Sequence, residues 1–239
     1  MKKIATTLLL TCLALTGLQA QSADEVIDNY FEVTGGKDGW KNIESVEMSG
    51  KATMQGMEFP MSMTMKKPGK VYQEISFQGK KIVSAFDGST GWMINPMAMM
   101  MEPTKLPEDQ LEQFEDQKVE DDLLDYATKG HEVAYEGTED VSGTECHKVK
   151  LTKKEGDIEY HFFDTDTGIK IMQRSFLKSG PAKGQAAETF FADYDEVDGL
   201  YFPFSLESKV NGQTVFQATM AEVKLNTGVS DDLFAFPEN

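Results

Sequence analysis

From residue 45 onward, apolar and polar side chains alternate with a period of two along most of the chain. Val46, Met48, Gly50, Ala52 and Met54 alternate with Glu47, Ser49, Lys51 and Thr53. After Gln55-Gly56, Met57, Phe59, Met61, Met63 and Met65 alternate with Glu58, Pro60, Ser62, Thr64 and Lys66. This is the pattern of strands with one apolar and one wet face. Val71, Ile75 and Phe77 continue it, Gly79 turns into Ile82 to Phe86, and Asp87 to Gly91 turns into Trp92, Met93 and Ile94. The second half reads as six more strands: 145–151, 158–163, 169–177, 188–194, 201–210 and 215–225. Turn residues bound them at Glu155-Gly156-Asp157, Asp164 to Gly168, Ser179-Gly180-Pro181, Asp198-Gly199 and Asn211-Gly212. Asn211-Gly212 is the strongest hairpin signal, because both residues tolerate the positive φ of a type I′ turn. About ten or eleven short strands joined by tight turns predict a large antiparallel sheet or barrel. Curvature would put the shared apolar face on the concave side.

Two stretches break the alternation. Ser22-Ala23-Asp24-Glu25 fits a capping box, and Val26, Ile27, Tyr30 and Phe31 follow at helical spacing up to Gly35-Gly36. Trp40 and Ile43 fit a second short turn. From Pro107 to Tyr126 there is no glycine, and Leu111/Phe114 and Leu123/Tyr126 stand three apart. Nine acids and one base lie between Glu108 and Asp125, which predicts one or two short helices with a strongly solvated face.

The first twenty residues read differently. Lys2 and Lys3 precede an apolar run containing Leu8, Leu9, Leu10, Leu13, Leu15 and Leu18, closed by Gly17 and Ala20. That layout predicts a Sec signal peptide over 1–20 and a single mature domain over 21–239. Cys12 follows Thr11 inside the apolar run, which is not a lipidation context. Cys146 is then the one remaining cysteine, so no internal disulfide is expected and the core must carry the fold. Such a leader implies export.

Charge removes whole classes of partner. Forty acids against 23 bases give a net charge of -17, with a pI near 4.6 and a mean hydropathy of -0.40. Nucleic acid needs a basic stripe, so it is not an expected partner. No nucleophile elbow, phosphate loop, dinucleotide motif or Cys-x-x-Cys is present, and the chain is not expected to be an enzyme or to carry a cofactor. His131-Glu132-Val133-Ala134-Tyr135 has Tyr where a zincin needs its second histidine. Asp164 to Gly168 lacks the downstream glutamate of a calcium loop and reads as a plain turn. Cys146 and His147 alternate on a strand and do not form a dyad.

Methionine is the positive anomaly: 14 in the chain, 11 of them between Met48 and Met101. Three readings stand side by side. Methionines fill cores, they form deformable linings for apolar ligands, and their thioethers bind Cu(I). The apolar run Trp92 to Met101 needs a pocket or a partner at its tip.

Together these features resemble the periplasmic lipoprotein-carrier family, the LolA/LolB-like outer-membrane lipoprotein-sorting proteins, in a divergent Bacteroidetes-type form. The resemblance rests on Tyr30-Phe31 and Thr34-Gly35-Gly36, on Phe86-Asp87-Gly88 with Gly91-Trp92, on Asp198 to Phe204, and on Asp232-Leu233-Phe234. It implies a half-closed antiparallel barrel whose short helices form a lid over the concave apolar face. It implies a non-enzymatic carrier of lipoprotein acyl chains or another lipid-like ligand, handed to an outer-membrane acceptor or taken from an inner-membrane release complex. In that family a buried arginine helps latch the lid; the corresponding region here offers Lys51 or Lys66, and the chain's one arginine is Arg174. On this reading Met48, Met54, Phe59, Met61, Met63, Ile75, Phe77 and Trp92 line the cavity, and Leu111 and Phe114 are lid contacts. The alternatives are a Met-rich copper-binding protein, or a sensor or interaction module on the same scaffold.

Overall fold

Thirteen strands form one continuous antiparallel sheet in the computed structural model, which describes residues 21–54, 56–111, 114, 117–178 and 182–237. The expected signal peptide over 1–20, Gln55 and the Ser179-Gly180-Pro181 turn lie outside the described residues. Two helices come first: α1 (Ala23–Val33) and α2 (Lys37–Lys41). The strands of the first half are β1 (Ser45–Met54), β2 (Met57–Lys66), β3 (Lys70–Phe77), β4 (Lys80–Phe86), β5 (Gly91–Asn95) and β6 (Met100–Lys105). Those of the second half are β7 (Glu132–Val141), β8 (Thr144–Thr152), β9 (Ile158–Asp164), β10 (Lys170–Phe176), β11 (Ala186–Val197), β12 (Leu200–Val210) and β13 (Gln213–Leu225).

The topology is two meanders joined where β1 pairs with β13, leaving β6 and β7 as the free edges. The sheet is therefore an open half-barrel, as the pattern and the resemblance predicted. The expected ten or eleven strands omit β6 and β7, and both are edges. An edge strand pairs on one side only and tolerates residues that a central strand excludes. Pro103 and Glu102 blur the alternation of β6. Gly137 and a register shift between Tyr135 and Thr138 break that of β7.

The turns follow their residue chemistry. Asn211 and Gly212 have φ of 51° and 73°, and Asp198 and Gly199 have 51° and 83°, as a two-residue type I′ hairpin requires. The predicted capping box closes α1: Glu25 N donates to Ser22 Oγ at 3.1 Å and Ser22 N to Glu25 Oε2 at 2.8 Å.

α1 lies on one face of the sheet, buries Val26, Ile27, Tyr30 and Phe31, and packs with Val149, Leu151, Phe163 and Met220. Trp40 of α2 joins them; its Nε1 donates to Thr34 O at 3.2 Å and its ring lies 4.8 Å from that of Phe202. Each such apolar side chain removed from water contributes roughly 1.5–3 kcal/mol. This helix-covered face is the concave, inner face. The outer face has smaller clusters: Val141, Cys146, Phe162 and Met172 on one wing, and Val83, Ala85 and Trp92 on the other.

Residues 106–131 link one free edge to the other, so they must cross the open side of the half-barrel. Of the one or two short helices expected, none forms over the described residues 117–130. A 3-10 turn covers Glu108–Gln110, Phe114 is helical, and 117–130 is irregular. The expected solvated acidic face is also corrected: Asp121 and Asp122 turn inward onto lysines. Repulsion among so many carboxylates weakens a helix, and buried ammonium groups give two of them a better partner. Among the described residues no helix is long and apolar enough to cross a membrane.

Candidate functional site

Strand register decides which side chains share the inner face. Met48 pairs with Met63, Met54 with Met57 and Ala52 with Phe59 across β1 and β2; Met61 pairs with Ile75 across β2 and β3. With period-two alternation, Met48, Met54, Phe59, Met61, Met63, Ile75 and Phe77 all stand on that face. Phe59 and Phe77 meet edge-on at 5.4 Å. The helices cover only one end of the face. Met48, Met61 and Met65 touch the edge of the helix-packed core. Beyond them Met63, Ile75 and Phe77 are half-buried and Phe59 is buried, while Met54 and Met57 are 41% and 48% exposed. The inner face is thus a trough plugged at one end and only partly covered at the other, where Ala52 and Phe59 are buried and Met54 and Met57 are exposed.

Trp92 does not belong to that trough. It stands in the cross-strand row Thr64, Tyr72, Ala85, Trp92, which faces outward. The C-terminal segment covers it: Trp92 Nε1 donates to Phe234 O at 2.9 Å, and Phe236 packs on the same cluster. Gly91, not Trp92, faces inward, in the row Gly91, Phe86, Val71, Met65. Three consecutive apolar residues, Trp92-Met93-Ile94, carry no alternation from which the phase could be read.

Leu111 and Phe114 sit where the linking segment meets β4 and β5. The Phe114 ring stacks on Phe86 at 5.3 Å with planes 7° apart. A side chain at Gly91 would run into Leu111 and touch Leu106 and Phe114. Gln73 on the inner face donates from Nε2 to Gln117 Oε1 at 2.8 Å. Sequence reasoning missed Phe86, whose apolar ring beside Asp87-Gly88 reads as the end of a strand.

A second set of contacts ties the same segment to the other wing. Lys170 Nζ donates to Asp121 Oδ2 at 2.7 Å and lies 5.2 Å from the Tyr30 ring and 5.5 Å from that of Phe191. Burial alone would raise the Asp121 carboxyl. The Lys170 charge, neighbouring His161 and the Leu123 N–H outweigh it and bring it down to about 2. Burial alone would likewise lower Lys170, but Asp121 holds it above its ordinary value. Lys153 lies 3.0 Å from Asp122 and 2.6 Å from Glu159. Both ring nitrogens of buried His161 lack a hydrogen-bond partner among the described residues, with Nε2 3.4 Å from Glu159 Oε2.

Between the wings, at the end where the β2–β3 and β8–β9 turns approach the linking segment, lies a cavity of about 660 Å³. Pro68, Phe86, Phe114 and Val119 are in its apolar part, and lysines, carboxylates and His131 supply its polar part.

No family model matches the chain, and no curated protein matches it in sequence. Solved structures do match. A DUF1329 family protein from Desulfovibrio piger is 13% identical with a TM-score of 0.58, over 89% of this chain and 96% of that one. A putative outer membrane lipoprotein-sorting protein domain from Vibrio parahaemolyticus is 8% identical with a TM-score of 0.58, over 87% and 97%. A LolA superfamily protein from Nitrosomonas europaea is 11% identical with a TM-score of 0.56, over 90% and 98%. The chain has a LolA-like fold. Identities this low speak for the fold alone.

Within the LolA-like frame, neither lysine considered for the latch reaches the inner face. Lys51 pairs with Glu58 at 2.8 Å, and Lys66 donates to Val229 O at 2.7 Å and Asp231 Oδ1 at 2.8 Å. Arg174 pairs with Glu188 and Glu139 at 2.8 and 3.1 Å, its guanidinium over the Phe162 ring on the outer face. The buried cations that hold the linking segment are Lys170, on Asp121, and Lys153, on Asp122. The residues read as metal-like in sequence serve as structure. His131 Nδ1 accepts from Lys154 N at 3.1 Å, and Asp164 Oδ1 accepts from Asp166 N at 2.8 Å in an Asx turn. No cluster of His, Cys, Asp and Glu suited to a metal occurs among the described residues. The buried Cys146 thiol is pushed up to about 11, first by burial and then by nearby carboxylates.

Proposed function

We propose that this protein is a non-enzymatic periplasmic carrier that shelters the acyl chains of lipoproteins, or of a comparable lipid, in the trough of its half-barrel. One observation carries the reading. On the inner face over β1 to β3, Met48, Met61, Met63, Ile75 and Phe77 are left half-buried and Met54 and Met57 exposed around the buried Phe59. A folded domain tolerates such exposure at an interaction site, since each exposed CH2 costs about 0.8 kcal/mol. An alkyl tail laid on Met48, Met54, Phe59, Met61, Met63, Ile75 and Phe77 would recover that energy without any catalytic group. Methionine suits the task because its flexible thioether repacks around different tails. Leu111 and Phe114, on the linking segment, act as lid contacts. The LolA-like fold supports the reading, as such a sheet leaves one side open for a long ligand.

Mass spectrometry of protein purified from its native host tests it. Bound lipid or lipoprotein is the expected result, together with displacement by fluorescent fatty acid. Protein that is repeatedly recovered empty and ignores fatty acids overturns the proposal.

An interaction module on the same scaffold is the second reading, and one observation favours it. Met99 has a φ of 62° and is 91% exposed at the β5–β6 tip, beside Met97 at 52% and Met101 at 65%. A pull-down that recovers one protein partner and no lipid would favour that reading.

A further inference from the structure

The exposed apolar side chains are gathered at one end of the sheet. Among the described residues nine large ones are exposed, and seven of them stand on or beside hairpin turns of that end. The β1–β2 turn carries Met54 and Met57, and the β5–β6 turn carries Met97, Met99 and Met101. Phe176 closes β10, and Val215 follows the β12–β13 turn. In a meander alternate turns share an end, and the junction of the two meanders keeps the phase, because Thr53 near the end of β1 pairs with Gln217 near the start of β13. The β3–β4 turn therefore belongs to the same rim. Ten neighbouring strands, from β6 to β10 in sheet order, carry these five turns. At about 4.8 Å between strands the rim is an arc of roughly 40 Å.

The same turns are free of acids. Residues 54–57, 77–81, 95–101, 176–187 and 210–215 contain no Asp or Glu, although 40 of the chain's 239 residues are acidic. Carboxylates begin only beyond the tips, at Glu58 and Glu102. The sixth turn of this end, β8–β9, does carry Glu155 and Asp157, and these line the cavity between the wings. A carboxylate resists transfer out of water, whereas a thioether does not. Single exposed apolar residues are ordinary, but a row of them without carboxylates marks an interaction site. Met99 is 91% exposed at a φ of 62°. It ends the Pro96–Ala98 3-10 turn, whose first amides donate to Asn95 Oδ1 at 3.1 and 3.3 Å. A groove on a protein partner would cover one such tip, while a fluid apolar layer meets every tip of an arc at once and solvates Met99 on all sides.

We infer that this rim is a docking surface for a lipid bilayer, on which the protein rests by its hairpin tips with Met97, Met99 and Met101 entering the boundary between headgroups and acyl chains. Met54 and Met57, at the partly covered end of the trough, lie on the same rim, so a docked protein turns that end toward the lipid. Docking of this kind does not require that the trough carry an acyl chain.

Flotation of the mature protein with phosphatidylcholine vesicles tests it; their uncharged surface leaves the apolar contact to act alone. The wild type should float with the vesicles. Met97→Ser, Met99→Ser and Met101→Ser combined should weaken vesicle binding at least about tenfold, with fatty-acid binding in solution unchanged. If that variant does not fold, Met99→Ser alone should weaken flotation in the same direction. A polarity-sensitive dye attached through Met99→Cys should shift to the blue on vesicles, since the one cysteine beyond the leader, Cys146, is buried. The same dye attached through Ser142→Cys, in the exposed β7–β8 turn at the opposite end, should not shift. A wild type that ignores vesicles, a triple variant that floats as well as the wild type, or equal dye shifts at the two ends overturns the docking surface. A protein that ignores vesicles but captures one protein partner through Met99 overturns it as well. Flotation that persists in a protein indifferent to fatty acids would sink the carrier reading and leave the docking surface standing.

Discussion

Lys170 Nζ meets Asp121 Oδ2 at 2.7 Å beneath the Tyr30 ring, joining the linking segment to the inner face of β10. Tyr194 reinforces the site by donating from its hydroxyl to Lys170 O at 2.7 Å. Removing one partner of such a pair strands the other charge away from water, which costs about 3–5 kcal/mol. Lys170→Met and Asp121→Asn should therefore each lower stability by that order. Lys170→Met combined with Asp121→Asn should cost much less than the two single changes together. A double-mutant cycle by urea unfolding measures the coupling. Additive costs would show that the pair does not act as a unit.

Acid should loosen the same segment. Asp121 titrates at about 2 in the folded protein against 3.8 for the ordinary carboxyl. A folded value below the unfolded one gives stability that is present above the unfolded value and lost as pH falls through the folded one. The shift corresponds to about 2 kcal/mol, lost between roughly pH 5 and pH 2. Asp122 and Glu159 act in the same direction. Burial opposes their ionisation, but Lys153 for Asp122, and His161 with Lys153 for Glu159, outweigh it. Urea midpoints measured from pH 7 to pH 3 should fall, and Asp121→Asn should flatten part of that fall. A variant with the wild-type slope would remove Asp121 from the account.

Much of this architecture could be read from residue pattern, because a half-buried strand prints its two faces on alternate positions. Phe59, Met61, Met63 and Ile75 share a face for that reason, and the capping box at Ser22 and Glu25 is equally local. What escaped is set by distant partners. Trp92 faces outward only because a segment more than a hundred residues away covers it, and nothing within Trp92-Met93-Ile94 fixes the phase. The acids Asp121 and Asp122 look solvated in a run of carboxylates until the fold brings Lys170 and Lys153 beneath them. The edge strands β6 and β7 were invisible because pairing on one side alone places few demands on sequence.

The orientation of Trp92 gives a third expectation. Its indole is held by the Phe234 carbonyl on the outer face, so it has no contact with a ligand lying among Met48, Phe59 and Met63. Trp92→Phe should lose one buried hydrogen bond, about 1 kcal/mol of stability, and leave fatty-acid affinity unchanged. Ile75→Asp, in the trough, should abolish binding at a modest cost to the fold. Fluorescent fatty-acid titration of the two variants distinguishes the faces. A large loss of affinity in Trp92→Phe alone would place the ligand on the wrong side of the sheet.

On the proposed carrier reading Phe114 couples lid to trough, since its ring is 2% exposed and lies flat on Phe86. Truncating a buried phenylalanine usually costs about 3–5 kcal/mol when the whole domain must absorb it. A lid that opens apart from the rest of the domain predicts instead that much of the cost appears as local opening rather than as a lower global midpoint. Phe114→Ala should raise amide exchange around 106–118 while leaving the β1–β13 ladder protected. It should also speed release of a bound acyl chain by about tenfold, since changes within one interface act mainly on the dissociation rate. Stopped-flow release of a fluorescent fatty acid measures this, with Phe114→Leu as the variant that keeps an apolar contact on Phe86 and recovers most of the retention. An unchanged release rate in Phe114→Ala, with the segment demonstrably open, would mean that the ligand is held by the trough alone and that 106–131 is no lid.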